Sequence, residues 1–281
     1  MATFTNVATI TYGENTATSN TVVGEILEVL TVNKTAVEET YTVNDDITYV
    51  INLINSGNAG LNGLTVTDNL GSFDFEGQTL TPLTYKENSI RYFVNGVLQA
   101  TPTVTATSPL TVTGINVPAN SNAAIVYEAV PNQFASPEQD AAITNEVVVS
   151  GGGITPATAE ATVTARNGAN LSIIKALSPT VVTENGEITY TFTIQNFGNE
   201  DVAATDTVLS DTFNPILDIT AVTFNGTAWE ETVNYTYDEA TGQFTTVAGN
   251  ITVPAATVVQ NEDGSFTVIP GISTLTVVGT V

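Results

Sequence analysis

The segment Ile47-Thr-Tyr-Val-Ile-Asn-Leu-Ile-Asn-Ser-Gly-Asn58 decides the fold, because it returns as Ile188-Thr-Tyr-Thr-Phe-Thr-Ile-Gln-Asn-Phe-Gly-Asn199. Each copy begins with alternating residues, many of them β-branched, which is how a half-buried strand reads. Each then breaks at a turn built from Asn and Gly. The same alternation recurs at Ala8–Tyr12 and Val104–Thr107, and Asn95-Gly96 and Asn225-Gly226 are hairpin turns. No segment carries a helical period. Short strands with regular turn punctuation predict an all-β chain of immunoglobulin-like β-sandwiches.

Outward from this segment the repeat extends in both directions. Leu30-Thr-Val-Asn-Lys34 matches Leu171-Ser-Ile-Ile-Lys175 at the same offset. Thr67-Asp68-Asn-Leu70 matches Ser210-Asp211-Thr-Phe213, and Val117-Pro118-Ala119 matches Val253-Pro254-Ala255. Another match runs from the start of the chain to its middle. Phe4-Thr-Asn6 resembles Ile143-Thr-Asn145, while Ala17-Thr18 and Thr21-Val22 resemble Ala157-Thr158 and Thr162-Val163. Ser273–Val281 resembles Asn122–Val130. Residues 1–28 therefore read as N-terminal donor strands, 29–168 as a first sandwich, and 169–281 as a second sandwich without closing strands. A sandwich missing strands exposes a groove and an unpaired edge. Donation of the N-terminal strands to the second sandwich of the next subunit fills both. Such a contact is heterologous and propagates a head-to-tail homopolymer of identical subunits.

Composition narrows the classes further. The chain has 281 residues, 42% of them hydrophobic, enough for two packed cores. Acidic residues outnumber basic ones 29 to 5, for a net charge of −24. That balance excludes phosphate-backbone recognition, so no nucleic-acid partner is expected. It also disfavours an anionic membrane surface, and no apolar run is long enough for a membrane span. Without histidine or cysteine the commonest general base, zinc ligands and disulfides are missing. No enzyme activity and no cofactor is expected. Asn44-Asp45-Asp46 and Asn261-Glu262-Asp263-Gly264 carry calcium-type oxygen ligands, but polar turns are the better reading, so no metal site is assigned. The start of the chain lacks the basic and apolar regions of a signal peptide, which leaves the export route open between a removed signal and another exit.

The lysines concentrate the chemistry. There are three, Lys34, Lys86 and Lys175, and two of them occupy equivalent first-strand positions. Each of these has an equivalent acid, Asp68 or Asp211, and an equivalent asparagine, Asn145 or the donated Asn6. Lysine, carboxyl and asparagine are the ingredients of an autocatalytic isopeptide bond: a buried neutral amine attacks the amide carbon, and a buried acid shuttles protons. The pattern predicts Lys34 to Asn145 within a subunit and Lys175 to Asn6 between subunits. Asp46 and Glu187, also equivalent, are the other candidate acids, and an ordinary Lys–Asp ion pair is the bland reading of the same residues.

These motifs resemble the prokaryotic surface repeat family called domain of unknown function eleven. The carriers are Lys34, Thr48-Tyr49, Asn55-Ser-Gly-Asn58, Thr67-Asp68-Asn-Leu70 and Thr144-Asn145. In the second copy they are Lys175, Thr189-Tyr190, Asn196-Phe-Gly-Asn199 and Ser210-Asp211-Thr-Phe213, with no Thr-Asn strand. The resemblance implies immunoglobulin-like sandwiches in bacterial or archaeal envelope proteins with structural or adhesive roles; the filament is inferred from the offset ends instead. The expected location is extracellular, at a cell or spore surface. The alternatives are an adhesin stalk, for which Trp229, Tyr235 and Tyr237 could offer a sugar-binding surface although core and hairpin residues are the better reading of them, and a surface-layer protein.

Overall fold

The computed structural model describes residues 2–43, 45–202 and 207–281. Among them there is no helix, and hence none long and apolar enough to cross a membrane. The chain is all-β and built from immunoglobulin-like sandwiches. It divides into two compact units: Met1–Glu39, Asn44–Asn132 and Ile143–Val163 form the first, and Thr40–Val43, Gln133–Ala142 and Thr164–Val281 the second.

The N-terminal strands β1 (Ala2–Asn6), β2 (Thr9–Tyr12), β3 (Asn15–Thr18) and β4 (Val22–Ile26) make one hairpin, with Phe4 opposite Gly24, Asn6 opposite Val22, and Thr9 opposite Thr18. The strands β5 (Leu30–Ala36), β6 (Ile47–Asn55), β7 (Leu61–Asp68), β8 (Leu110–Val117), β9 (Ser121–Pro131), β10 (Ala142–Ser150) and β11 (Ala157–Ala165) build the first sandwich. One sheet runs β9-β6-β5, extended beyond β9 by Arg91–Val94; the other runs β8-β7-β10-β11. Alternate residues of β6 (Ile47, Tyr49, Ile51, Leu53) face Leu64, Val66, Val112, Val147 and Val149 in a dry core.

In the second unit β12 (Leu171–Ser178), β13 (Glu187–Asn196), β15 (Asp218–Phe224) and β17 (Gly271–Thr280) form a sheet in the order β12-β13-β17-β15, while β14 (Ser210–Thr212) and β16 (Gln243–Thr246) belong to a three-stranded sheet with Tyr235–Asp238. Phe192, Phe213, Phe244, Leu275 and Val277 fill the core between them.

Several sequence features find their physical reason here. Asn95-Gly96 and Asn225-Gly226 have φ of 50° and 77°, and 49° and 79°, the left-handed pairs that a two-residue hairpin loop needs. The repeated Asn-x-Gly-Asn turn is anchored by a buried amide. Asn55 Nδ2 donates to the carbonyls of Ala59 and Pro118 at 2.8 and 2.9 Å; Asn196 Nδ2 donates to those of Glu200 and Pro254 at 2.7 and 3.1 Å. Thus the repeated Val-Pro-Ala segment is what each turn asparagine holds. The end of the repeat shifts by one residue. Ile125 lies opposite Ile51, and Leu275 opposite the equivalent Phe192, so Val277 and not Val278 corresponds to Tyr127.

Candidate functional site

In the first unit the strand alternation of β5 turns Val32 and Lys34 inward. The end of β7 supplies Asp68, β9 supplies Tyr127, and β10 supplies Asn145. All four side chains are buried. Lys34 Nζ donates to Asp68 Oδ2 at 2.7 Å, and the Tyr127 hydroxyl donates to the same oxygen at 2.7 Å. Asn145 Nδ2 donates to the Tyr127 oxygen at 2.9 Å, and the Gly71 amide donates to Asn145 Oδ1 at 3.3 Å. The Leu70 amide donates to Asp68 Oδ1 at 3.0 Å. Lys34 Nζ also sits 5.0 Å from the Tyr49 ring centroid. Gly71 has φ of 72°, and a Cβ there would collide with Ile143, so the close amide donor at this turn requires glycine.

Burial dominates the electrostatics. It lowers the Lys34 ammonium from 10.5 to about 8, against the opposing pull of the Asp68 and Glu146 charges. Burial, reinforced by the Asp68 charge, raises the Tyr127 phenol well above its ordinary value. An amine whose charge burial disfavours, a carboxyl group, a hydroxyl and a primary amide thus meet in a buried cluster, the inventory that amide exchange requires.

The lowered lysine value makes a signed prediction for the Asn145→Ala protein, where Lys34 must remain an amine. The folded value lies below the unfolded one, so the unfolded chain binds more protons between pH 8 and 10.5, and stability rises with pH there. Tyrosine ionisation, with Tyr127 raised, opposes this above pH 10. Between pH 8 and about 9.5 the gain is expected to reach roughly 2 kcal/mol, read by urea denaturation of the first unit. A flat profile would mean that Lys34 is not held in a desolvated site.

The second unit brings Lys175 and Asp211 together as an ion pair, with Lys175 Nζ 4.4 Å from the Tyr190 ring centroid. Its surroundings differ. Side-chain exposure is 40% for Lys175 and 19% for Asp211, against 0% and 1% for Lys34 and Asp68. Ile173 is 55% exposed where its counterpart Val32 is 8%. Every residue of β12 is exposed. Asp68 lies between Leu110 of β8 and Val147 of β10; Asp211 lies opposite Phe244 of β16, and among the described residues no strand pairs with its other side.

Asn6 lies on the N-terminal hairpin, which has two unlike faces. Cross-strand pairing puts Phe4, Asn6, Val22, Gly24 and Ile26 on one face, continued by Ile10 and Ala17. The other face carries Thr3, Thr5, Val23 and Glu25. The Phe4 ring covers Gly24, where a Cβ would collide with it. Phe4, Ile10, Tyr12, Val22 and Ile26 are each at least half exposed.

The remaining candidates separate from these sites. Asp46 Oδ2 accepts from Lys86 Nζ at 2.9 Å, which also meets Glu128 at 2.7 Å. Glu187 is exposed at the start of β13. Asn44 lies outside the described residues. At the other calcium-type turn, Asp263 Oδ1 accepts from the Ser265 amide and hydroxyl at 3.0 and 2.6 Å, and Asn261 Nδ2 donates to that hydroxyl at 2.9 Å. Tyr235 stacks on Phe244 and Trp229 on Phe224, and the Tyr237 hydroxyl donates to the Leu217 carbonyl at 3.0 Å, so these aromatics serve the core.

Neither a family model nor a curated protein matches the chain. Among solved structures it is similar to the pilus backbone RrgB from Streptococcus pneumoniae, at 12% identity over 86% of this chain and 55% of that one, with a TM-score of 0.35. It is also similar to BcpA, the major pilin subunit of Bacillus cereus, at 13% identity over 96% and 73%, TM-score 0.36. A third is the C-terminal fragment of the major pilin GBS80 of Streptococcus agalactiae, at 12% identity over 87% and 79%, TM-score 0.37. The chain spans about half the length of the pneumococcal protein.

Proposed function

We propose that this chain is the structural subunit of an extracellular filament, in which the N-terminal hairpin of one subunit completes the second sandwich of the next. The observation that carries the reading is the equivalence of the hairpin to β10–β11. In β10 the buried residues are Ile143, Asn145, Val147 and Val149; in the hairpin Phe4, Asn6, Ala8 and Ile10 occupy the same pattern, on a face left exposed. Among the described residues the second unit is open along β14, the strand equivalent to the end of β7 that β10 pairs with in the first, and every residue of β12 is exposed. Carrying over the first-unit register, Val147 opposite Asp68 and Val149 opposite Val66, sets Ala8 opposite Asp211 and Ile10 opposite Leu209. Asn6 then reaches the depth at which Asn145 sits, and docking buries Lys175.

Two covalent bonds follow from this reading: Lys34 to Asn145 within each subunit, and Lys175 to Asn6 between neighbours. Both form by loss of ammonia. Boiling the assembled protein in detergent should leave a ladder at multiples of the 29.3 kDa subunit, with Lys175 and Asn6 peptides joined and lighter by one ammonia. The Asn6→Ala protein is expected to assemble yet fall to monomer in hot detergent. A monomer band from the unaltered protein would refute the intersubunit bond, and the absence of filaments before denaturation would refute strand donation.

A further inference from the structure

Resting on the cross-linking reading above, we infer that the Tyr127 hydroxyl is the proton relay that delivers the leaving nitrogen in the Lys34–Asn145 reaction. Among the described residues it is the sole side-chain group hydrogen-bonded to both Asp68 and Asn145: it donates to Asp68 Oδ2 at 2.7 Å and accepts from Asn145 Nδ2 at 2.9 Å. Lys34 Nζ lies on the same carboxylate oxygen at 2.7 Å. Lysine, acid, hydroxyl and leaving nitrogen therefore form one continuous chain.

The chemistry balances along it. A proton first passes from the Lys34 ammonium to Asp68, leaving a neutral amine and a carboxylic acid. Lys34 Nζ attacks Asn145 Cγ, and the oxygen that gains charge is held by the Gly71 amide at 3.3 Å. In the planar amide, Nδ2 can only donate to the hydroxyl. Once Cγ is tetrahedral, Nδ2 becomes a basic amine and the direction of that bond reverses. Nζ gives a proton to Asp68, Asp68 gives its proton to the Tyr127 oxygen, and Tyr127 gives its own to Nδ2. The Cγ–Nδ2 bond breaks, ammonia leaves, and acid and hydroxyl are restored. No oxidant or external base is consumed.

The second unit supplies an internal comparison. Tyr127 stands opposite Tyr49, whereas the equivalent Tyr190 stands opposite Val277. A relay at Tyr127 therefore serves the bond within the subunit and has no counterpart at Lys175.

The test follows the full-length chain as it folds. Chain held unfolded in denaturant, and shown by mass to carry no cross-link, is diluted to start folding across a pH series. Ammonia loss is then timed at the Lys34–Asn145 and Lys175–Asn6 peptide pairs. In the unaltered protein the Lys34 rate should be level up to about pH 8 and fall above it, since the proton that Lys34 passes to Asp68 must stay in the site. In Tyr127→Phe that rate is expected to fall about a hundredfold, the usual worth of a positioned proton donor. It should also decline with pH below pH 8, where the unaltered rate is level, because the proton must now come from solvent. The Lys175 rate should be unchanged. A Tyr127→Phe rate equal to the unaltered one overturns the relay while the cross-link stands. A rate lowered by the same factor at every pH reduces Tyr127 to packing and overturns it as well. No ammonia loss at Lys34 in the unaltered protein removes the cross-link and the relay together.

Discussion

Deleting residues 2–28 is expected to abolish polymers and leave a soluble monomer, seen as the loss of filaments in electron micrographs and a single slow species in sedimentation. The size of the effect follows from what the hairpin has to bury. Phe4, Ile10, Val22 and Ile26 are each half or more exposed, as is Ile173 on β12, the counterpart of the buried Val32. Full burial of one such side chain from complete exposure contributes about 1.5–3 kcal/mol, and these are already partly buried, so five of them give roughly 5–10 kcal/mol. New ladder bonds along β14 add about 1 kcal/mol each. Association costs about 4–15 kcal/mol in lost freedom, so the hairpin is the difference between a stable joint and none. Electrostatics sharpen this, because a net charge of −24 repels neighbours that lack a specific contact. Filaments formed by the deleted protein would place the joint elsewhere. A free peptide of residues 2–28, added to the unaltered protein, should stop elongation by occupying the open second unit.

How much of this was legible in the sequence depends on which residues carry it. Strand type, the sandwich class and the repeat were visible because period-two alternation and turn residues are local signals. The pairing of Lys34 with Asp68 and of Lys175 with Asp211 was visible because the repeat marks equivalent positions. Tyr127 was not, since its role comes from standing opposite Tyr49 across the sheet, and cross-strand register is not a local property. The one-residue shift at Leu275 hid the same fact: a match between Asn122–Val130 and Ser273–Val281 sets Val278 against Tyr127, and only the ladders show Val277 there. Gly71 was equally hidden. Its need arises from a positive φ and from Ile143, which is distant in sequence. The choice between Asp68 and Asp46 needed coordinates too, since Asp46 is taken by Lys86.

Replacing Asp68 by alanine should give the largest loss of stability of any single change in the first unit. Asp68 accepts from Lys34, Tyr127 and the Leu70 amide, all in a buried setting. Its removal leaves a buried ammonium without a counter-charge and two donors without acceptors, in addition to preventing the cross-link. Breaking a buried pair from one side costs about 3–5 kcal/mol. For a unit of this size that corresponds to a fall of roughly 10 °C or more in melting temperature by calorimetry. Lost cross-linking and an uncompensated charge both follow from Asp68→Ala, and a second variant separates them. Neither Asp68→Ala nor the double variant with Lys34→Met can form the bond, but only the single variant keeps the stranded ammonium. The double variant should therefore recover much of the loss, as buried pairs replaced on both sides commonly do. If the double variant melts no higher than Asp68→Ala, the charge on Lys34 is not the source of the cost, and the lysine is not held in the dry, poised state that the cross-link requires.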